Sequence, residues 1–198
     1  MGNKLVLFGG GGHCVSVLDS ILRTGSYSKI VILDAGIPAG TKIMGCEVMG
    51  DDSLMEGLRQ QGFDNAFITI AGMKSVDARR KIYENAKRLG YCFVNITDPS
   101  AVISETAKLG EGVYAGKNAV INALAIVGDM AIINNGAIIE HECRIGDFTH
   151  VAPGAVICGG CRIGNDCFIG ANATVIQEIS ITDCSLVRAG ETVTKDVL

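Results

Sequence analysis

Every sixth residue between Ile103 and Val193 is aliphatic, with Ala115 the one small member: Ile103, Leu109, Ala115, Ile121, Val127, Ile133, Ile139, Ile145, Val151, Ile157, Ile163, Ile169, Val175, Ile181, Val187 and Val193. A period of six fits neither an α-helix nor an ordinary strand, so one repeat must correspond to one short flat side of a solenoid. Three such sides make a coil of about eighteen residues, and the stretch holds about five coils stacked at roughly 4.8 Å. The residues two places before each aliphatic one are mostly small, as in Ala119, Ala125, Cys143, Thr149, Cys161 and Cys167, which suits an inward position at a tight corner. The residue just after is often Gly or Asn (Gly110, Gly116, Asn122, Gly128, Asn134, Gly146), read here as a turn conformation closed to bulky side chains.

The abrupt onset of the repeat divides the 198 residues into 1–97 and 98–198. The first part opens with an apolar strand, Lys4 to Phe8, then Gly9 to Gly12, then Val15, Leu18, Ile21 and Leu22 at helical spacing. Further apolar runs at Ile30 to Leu33, Ala66 to Ile70 and Tyr91 to Val94, with a helical Val76 to Leu89, predict a small Rossmann-like parallel α/β sheet of about four strands. Four glycines between a strand and a helix allow close approach of a phosphate to backbone amides at a helix N-terminus. Asp34, ending the second strand, is placed to take a ribose hydroxyl. The full G-x-G-x-x-G pattern is absent, which points to a mononucleotide-sized site; a structural tight turn with Asp34 merely exposed is the alternative. His13 could meet a phosphate or a sugar, or cap the turn.

Seventeen basic against 21 acidic residues give a net charge of −4, which offers no support for a nucleic-acid partner. Arg79-Arg80-Lys81 and Lys87-Arg88 read as the solvated face of a helix. No apolar run is long enough for a membrane span and no signal peptide precedes the first strand, so a cytoplasmic location is expected. Cys143, Cys161 and Cys167, three of the eight cysteines, occupy the inward slot, where cysteine acts as a compact hydrophobe. Cys158-Gly159-Gly160-Cys161 has C-x-x-C spacing, but the repeat puts its two cysteines on opposite sides of a strand, and no metal site is expected.

Three histidines exist, His13, His141 and His150. The repeat places His141 at or near a corner, flanked by Glu140 and Glu142, and a carboxylate beside an imidazole can fix its tautomer as in a general-base dyad. His150 precedes the inward Val151 and should point outward. The two histidines are half a coil apart, on opposite sides of the prism, so one chain should not bring them together. A threefold assembly could set the corner of one subunit against the face of its neighbour and make a composite site.

In Leu7-Phe8-Gly9-Gly10-Gly11-Gly12-His13, Pro99-Ser100-Ala101-Val102-Ile103, Ile139-Glu140-His141-Glu142-Cys143 and Ile145-Gly146-Asp147-Phe148-Thr149-His150-Val151, the chain resembles the left-handed β-helix, hexapeptide-repeat acetyltransferases. More narrowly it resembles the group that contains sialic-acid O-acetyltransferases and UDP-4-amino-sugar N-acetyltransferases. The resemblance implies a left-handed helix, a homotrimer with active sites between subunits, and acetyl-CoA as co-substrate without a metal. The acceptor it implies is a nucleotide-linked 4-amino-4,6-dideoxy sugar of surface glycan synthesis. By the same resemblance His141 is the general base and Glu142 orients it, and Asn134 contacts the acceptor sugar. His150 lies near the acetyl group and the cofactor, the Gly159 amide stabilises the oxyanion, and Gly9, Gly10, Gly11, Gly12, His13 and Asp34 hold the nucleotide diphosphate. Two features depart from the pattern. Asp98-Pro99 stands where many relatives have His-Pro, and Lys195-Asp196-Val197-Leu198 is not followed by the Gly-x-Pro-Ala tail that helps to cover coenzyme A. O-acetylation of sialic acid or a related sugar, and a non-catalytic trimeric scaffold, are the competing expectations. A zinc carbonic anhydrase would need three histidine ligands, and the solenoid offers two.

Overall fold

The computed structural model describes residues 3–72 and 76–197. It forms two compact units, Met1–Ile96 and Thr97–Leu198. In the first, the elements run β1 (Lys4–Phe8), α1 (Gly12–Thr24), β2 (Lys29–Leu33), β3 (Lys42–Ile43), β4 (Cys46–Gly50), α2 (Met55–Gln60), β5 (Asn65–Ile68), α3 (Val76–Arg88) and β6 (Cys92–Phe93). Leu5, Val6, Leu7 and Phe8 are all fully buried, the mark of a central parallel strand covered on both faces. The sheet order is β3-β4-β2-β1-β5-β6. Six strands stand where about four were expected, and β3 pairs antiparallel with β4. The missed hairpin turns through Met44 and Gly45, both at positive φ (48° and 86°). That is the backbone of a primed two-residue turn, normally signalled by Asn-Gly or Asp-Gly.

Helix α1 buries Cys14, Val17, Leu18 and Ile21 and stops at Gly25 in the left-handed conformation. Helix α3 departs from the expectation for its basic cluster. Lys81, Lys87 and Arg88 are exposed, but Arg79 shares the buried face with Ile82 and Ala86 and is 1% exposed. Three- and seven-residue offsets on a helix return to one face, so the sequence run conceals one inward guanidinium.

The second unit is a parallel β-helix of two-residue strands. Face one carries Tyr114–Ala115, Ile132–Ile133, His150–Val151, Phe168–Ile169 and Leu186–Val187. Face two runs from Val102–Ile103 to Thr192–Val193, and face three from Lys108–Leu109 to Ser180–Ile181. Strands pair eighteen residues apart, as in Ile121↔Ile139 and Ile139↔Ile157, so like side chains stack along the core. Ile121, Ile139, Ile157 and Val175 are fully buried.

The glycines after the aliphatic positions have a different cause from the one expected. The left-handed residue of each corner comes three places after the aliphatic one, at every sixth position from Gly112 through Asn118, Leu124 and Glu142 to Gly190. Gly110, Gly116 and Gly128 are required instead by close approach of the next coil. A Cβ on each would lie 2.8 Å from the backbone nitrogen of Asp129, Asn135 and Asp147 respectively. The side chains of those residues reach the same spot: Asp129 Oδ1 accepts from the Glu111 amide at 2.9 Å and Asn135 Oδ1 from the Lys117 amide at 2.9 Å.

The inward cysteines do more than fill space. Cys143 Sγ donates to the Cys158 carbonyl at 3.1 Å, Cys161 Sγ to that of Ile176 at 3.0 Å, and Cys167 Sγ to that of Thr182 at 3.1 Å. In an equivalent slot Thr149 Oγ1 donates to the Gly164 carbonyl at 2.7 Å. Each such donor reaches a carbonyl fifteen residues on. At the start of the solenoid Asp98 is fully buried. It accepts from Ser100 N and Oγ at 2.9 and 2.6 Å and faces Lys117 Nζ at 3.3 Å. The buried Asp98 carboxylate is thus a structural brace. All eight cysteines are free. Among the described residues no helix is long and apolar enough to cross a membrane, and no group of three or more His, Cys, Asp or Glu side chains could hold a metal ion.

Candidate active site

The expected residues fall into three groups. The first is the glycine loop between β1 and α1. Gly9 has φ +107° and a Cβ there would strike Ile70 Cγ1 at 2.5 Å, while one at Gly10 would meet Ile37 Cδ1 at 2.6 Å. These two glycines serve packing. Gly11 and Gly12 have nothing within 4 Å of a Cβ position, so the start of α1 is the open part of the loop, where backbone N–H groups can donate to a phosphate. Asp34 is half-buried and already engaged: Oδ2 accepts from Gly10 N at 2.6 Å and Oδ1 from Gly36 N at 2.7 Å. It therefore props the loop, with one further lone pair on each oxygen for a ligand hydroxyl.

Burial, then the Arg79 charge, pull the His13 imidazole down to about 4 from its ordinary 6.5. At neutral pH His13 is an uncharged donor or acceptor, not a cation for a phosphate. A histidine held neutral in the folded state stabilises it fully above pH 6.5, and that contribution disappears as pH falls toward 4 because only the unfolded chain takes the proton there. Urea titrations at pH 7.5 and pH 4.5 should show the parent losing up to about 3 kcal/mol more than His13→Gln. Equal losses would mean that His13 is not held neutral.

The second group lies along face one. Asn134 Nδ2 and His150 Nε2 are 3.1 Å apart, and the imidazole packs edge-on against Phe168 at 4.9 Å between ring centroids. Asn134 Oδ1 also accepts from the Asn135 amide at 2.8 Å, so both members are fixed. His150 stands on the outer row of its strand, as the repeat requires, but is only 7% exposed; it is outward without being open. Phe168 was not among the expected residues, although it lies eighteen residues after His150 and so necessarily stacks beside it.

The third group sits at the corner between faces two and three. Glu142 Oε2 lies 3.1 Å from His141 Nδ1, and the two side chains are 63% and 59% exposed, open to a substrate. A carboxylate only accepts, so Nδ1 carries the proton and Nε2 is left with its lone pair. Glu142 has φ +61°, the left-handed conformation shared by the corners of the solenoid. On the other side Glu140 Oε2 accepts from the His141 amide at 3.2 Å and from Asn122 Nδ2 at 2.9 Å, a strut where the sequence suggests only a flanking charge. Gly159 is one coil further on. A Cβ there would lie 2.5 Å from His141 Nε2 and 2.6 Å from Cε1, so the basic nitrogen rests directly against the glycine.

The turn amides in this column are capped by the residue before them: Ala123 N by Asn122 Oδ1 at 2.7 Å and His141 N by Glu140 Oε2. Cys158 stands in that place before Gly159 and provides no such acceptor, and among the described residues the Gly159 amide donates to nothing. A lone-pair nitrogen, an orienting carboxylate and an uncapped amide therefore share one corner.

The PglD N-terminal domain model matches residues 4–86, and the bacterial transferase hexapeptide model (six repeats) matches residues 142–177. Among solved structures, a variant of perosamine N-acetyltransferase from Caulobacter crescentus in complex with CoA and GDP-perosamine superposes with a TM-score of 0.91 at 36% identity, over 98% of this chain and 90% of that one. The chain belongs to the left-handed β-helix, hexapeptide-repeat acetyltransferases. The acetyltransferase domain of PglB from Neisseria gonorrhoeae FA1090, in complex with acetyl coenzyme A, superposes with a TM-score of 0.91 at 31% identity, over 100% of this chain and 93% of that one. A comparison with curated proteins found no match. As in this acetyltransferase family, an α/β unit precedes the solenoid, and the helix is left-handed.

Proposed function

We propose that this acetyltransferase moves the acetyl group of acetyl-CoA to the amine of a nucleotide-linked 4-amino-4,6-dideoxy sugar, acting as a cytoplasmic homotrimer in bacterial surface glycan synthesis. Residues 1–97 hold the nucleotide end and 98–198 carry out the transfer. The observation that carries the reading is the His141 corner, where Nε2 is free to take a proton, Nδ1 is held by Glu142, and Gly159 packs directly against Nε2. The co-substrates of the relatives support it, CoA with GDP-perosamine in one and acetyl coenzyme A in the other.

The amine nitrogen attacks the thioester carbonyl carbon and the carbonyl π pair moves onto oxygen, where the Gly159 amide meets the new charge. His141 Nε2 takes the proton that the nitrogen sheds. The tetrahedral intermediate collapses, the C–S bond breaks, and the same proton passes from Nε2 to the departing coenzyme A sulfur. An oxyanion donor of this kind is worth about 3 kcal/mol in the barrier. At the other end of the acceptor, the open amides of Gly11 and Gly12 receive the diphosphate and Asp34 steadies the loop. Asn134 contacts the acceptor sugar, and His150 lies beside the acetyl group and cofactor.

Mass-spectrometric detection of acetylated product from acetyl-CoA and a panel of UDP-, GDP- and dTDP-linked 4-amino sugars tests the reading, with free sialic acid alongside. Acetylation of one nucleotide-linked amino sugar is expected. Product from sialic acid alone would replace it with O-acetylation, and folded protein that makes no product anywhere would favour a scaffold.

His141 and His150 occupy opposite sides of one coil, a corner and a face. In the proposed trimer the working pair comes from two subunits, so two inactive variants should complement each other. Refolding equimolar His141→Ala and His150→Ala should restore about a tenth to a quarter of parental activity, because each mixed trimer carries one intact site of three. No recovery, with mixed trimers verified by mass, would place both histidines in one subunit's site.

A further inference from the structure

Cys143 is fully buried inside the prism, and its Sγ lies 3.1 Å from the carbonyl oxygen of Cys158. That carbonyl belongs to the peptide whose nitrogen is Gly159. No peptide bond among the described residues is cis, and in a trans peptide the C=O and N–H point in opposite directions. With the oxygen turned inward to the thiol, the Gly159 N–H is aimed outward, where the His141 ring stands.

We infer that Cys143 is a positioning residue for acetyl transfer: its thiol, inside the solenoid, fixes and polarises the peptide whose N–H, outside, meets the developing oxyanion. The inference rests on the oxyanion role proposed for Gly159. A hydrogen bond to a peptide carbonyl draws electron density toward the oxygen and makes the N–H on the other side a stronger donor, by about 10–30% per bond. It also holds the peptide plane, which no cap on the Gly159 amide does. The adjoining Cys161 sulfur and burial push the Cys143 thiol far above its ordinary range, so at neutral pH its S–H persists as the donor to the Cys158 carbonyl. Thr149 performs the same inward donation with a hydroxyl, so a serine at 143 can replace the thiol and an alanine cannot.

The measurement is kcat with acetyl-CoA and the acceptor that the substrate panel yields, for the parent, Cys143→Ala, Cys143→Ser and Cys167→Ala. Cys167→Ala deletes the same kind of buried thiol, bonded to Thr182 at another corner, and controls for lost packing. Cys143→Ala should fall about three- to tenfold in kcat, and Cys143→Ser and Cys167→Ala should stay within about twofold of the parent. Isotope-edited infrared spectra of bound acetyl-CoA, labelled at the acetyl carbonyl, should show a carbonyl stretch nearer its free frequency in Cys143→Ala than in the parent or the serine variant. A Cys143→Ala enzyme with parental kcat and carbonyl frequency, or a serine variant no better than alanine, overturns the inference while leaving the acetyltransferase reading intact. A parent that acetylates no acceptor overturns the reading and the inference together.

Discussion

Gly159→Ala is expected to lower kcat by at least about 100-fold while the protein remains folded. The added Cβ would sit 2.5 Å from His141 Nε2 and 2.6 Å from Cε1, closer than such atoms approach in real proteins, so one of them must move. Gly159 is not among the positive-φ residues, and alanine therefore strains no backbone there. The half-open imidazole is the part that yields, swinging outward from the corner. A shift of about 1 Å in a catalytic group costs on the order of 100-fold in rate, and this displacement is at least that large. Gly160→Ala is the instructive contrast. Its φ is +73°, but a Cβ would meet only Glu178 Cγ at 3.5 Å, and Glu142 and Glu178 already hold the same corner conformation with side chains. That variant should lose about 1 kcal/mol of stability and keep its kcat. Thermal melts with steady-state kinetics separate the two. A Gly159→Ala enzyme with parental kcat would mean that Nε2 does not work from the position described.

The architecture of the solenoid was legible because a six-residue period matches neither a helix nor a long strand, and coil length alone brings Gly159 beside His141 and Phe168 beside His150. The neighbouring Glu142 was legible as well, since adjacent residues in a turn can meet. What stayed hidden depends on three-dimensional closeness that has no local pattern. The glycines at 110, 116 and 128 looked like turn residues, but the next coil's capping Asp and Asn exclude any side chain there. Cys143 looked like a small hydrophobe because a thiol reveals its hydrogen bond only when the carbonyl fifteen residues on is in place. In the α/β unit the β3–β4 hairpin was missed because Met44 takes a conformation that sequence associates with Asn or Gly. Arg79 was misread because its charged neighbours in sequence are not its neighbours in space. The Glu140–Asn122 strut was within reach, since the two side chains are eighteen residues apart and a parallel coil must stack them.

His141→Ala should lower kcat/KM by about 10³-fold, with a smaller change in KM for acetyl-CoA, because positioned general bases contribute on the order of 10²–10⁴. The loss should fall on kcat: the ring is assigned a proton transfer in the transition state rather than a contact that holds the thioester. Glu142→Gln keeps an oxygen that can accept from Nδ1–H but removes the charge, so the tautomer survives and a milder loss of about tenfold is expected. The distinguishing measurement is chemical rescue. Removing the side chain of an exposed corner residue leaves space beside Gly159, and imidazole added to His141→Ala should restore part of kcat in proportion to its neutral fraction. The Glu142 variant should gain little, because its own imidazole still fills the place. A His141→Ala enzyme within tenfold of the parent, and indifferent to imidazole, would mean that the amine loses its proton to water and that the corner acts through the Gly159 amide and substrate alignment alone.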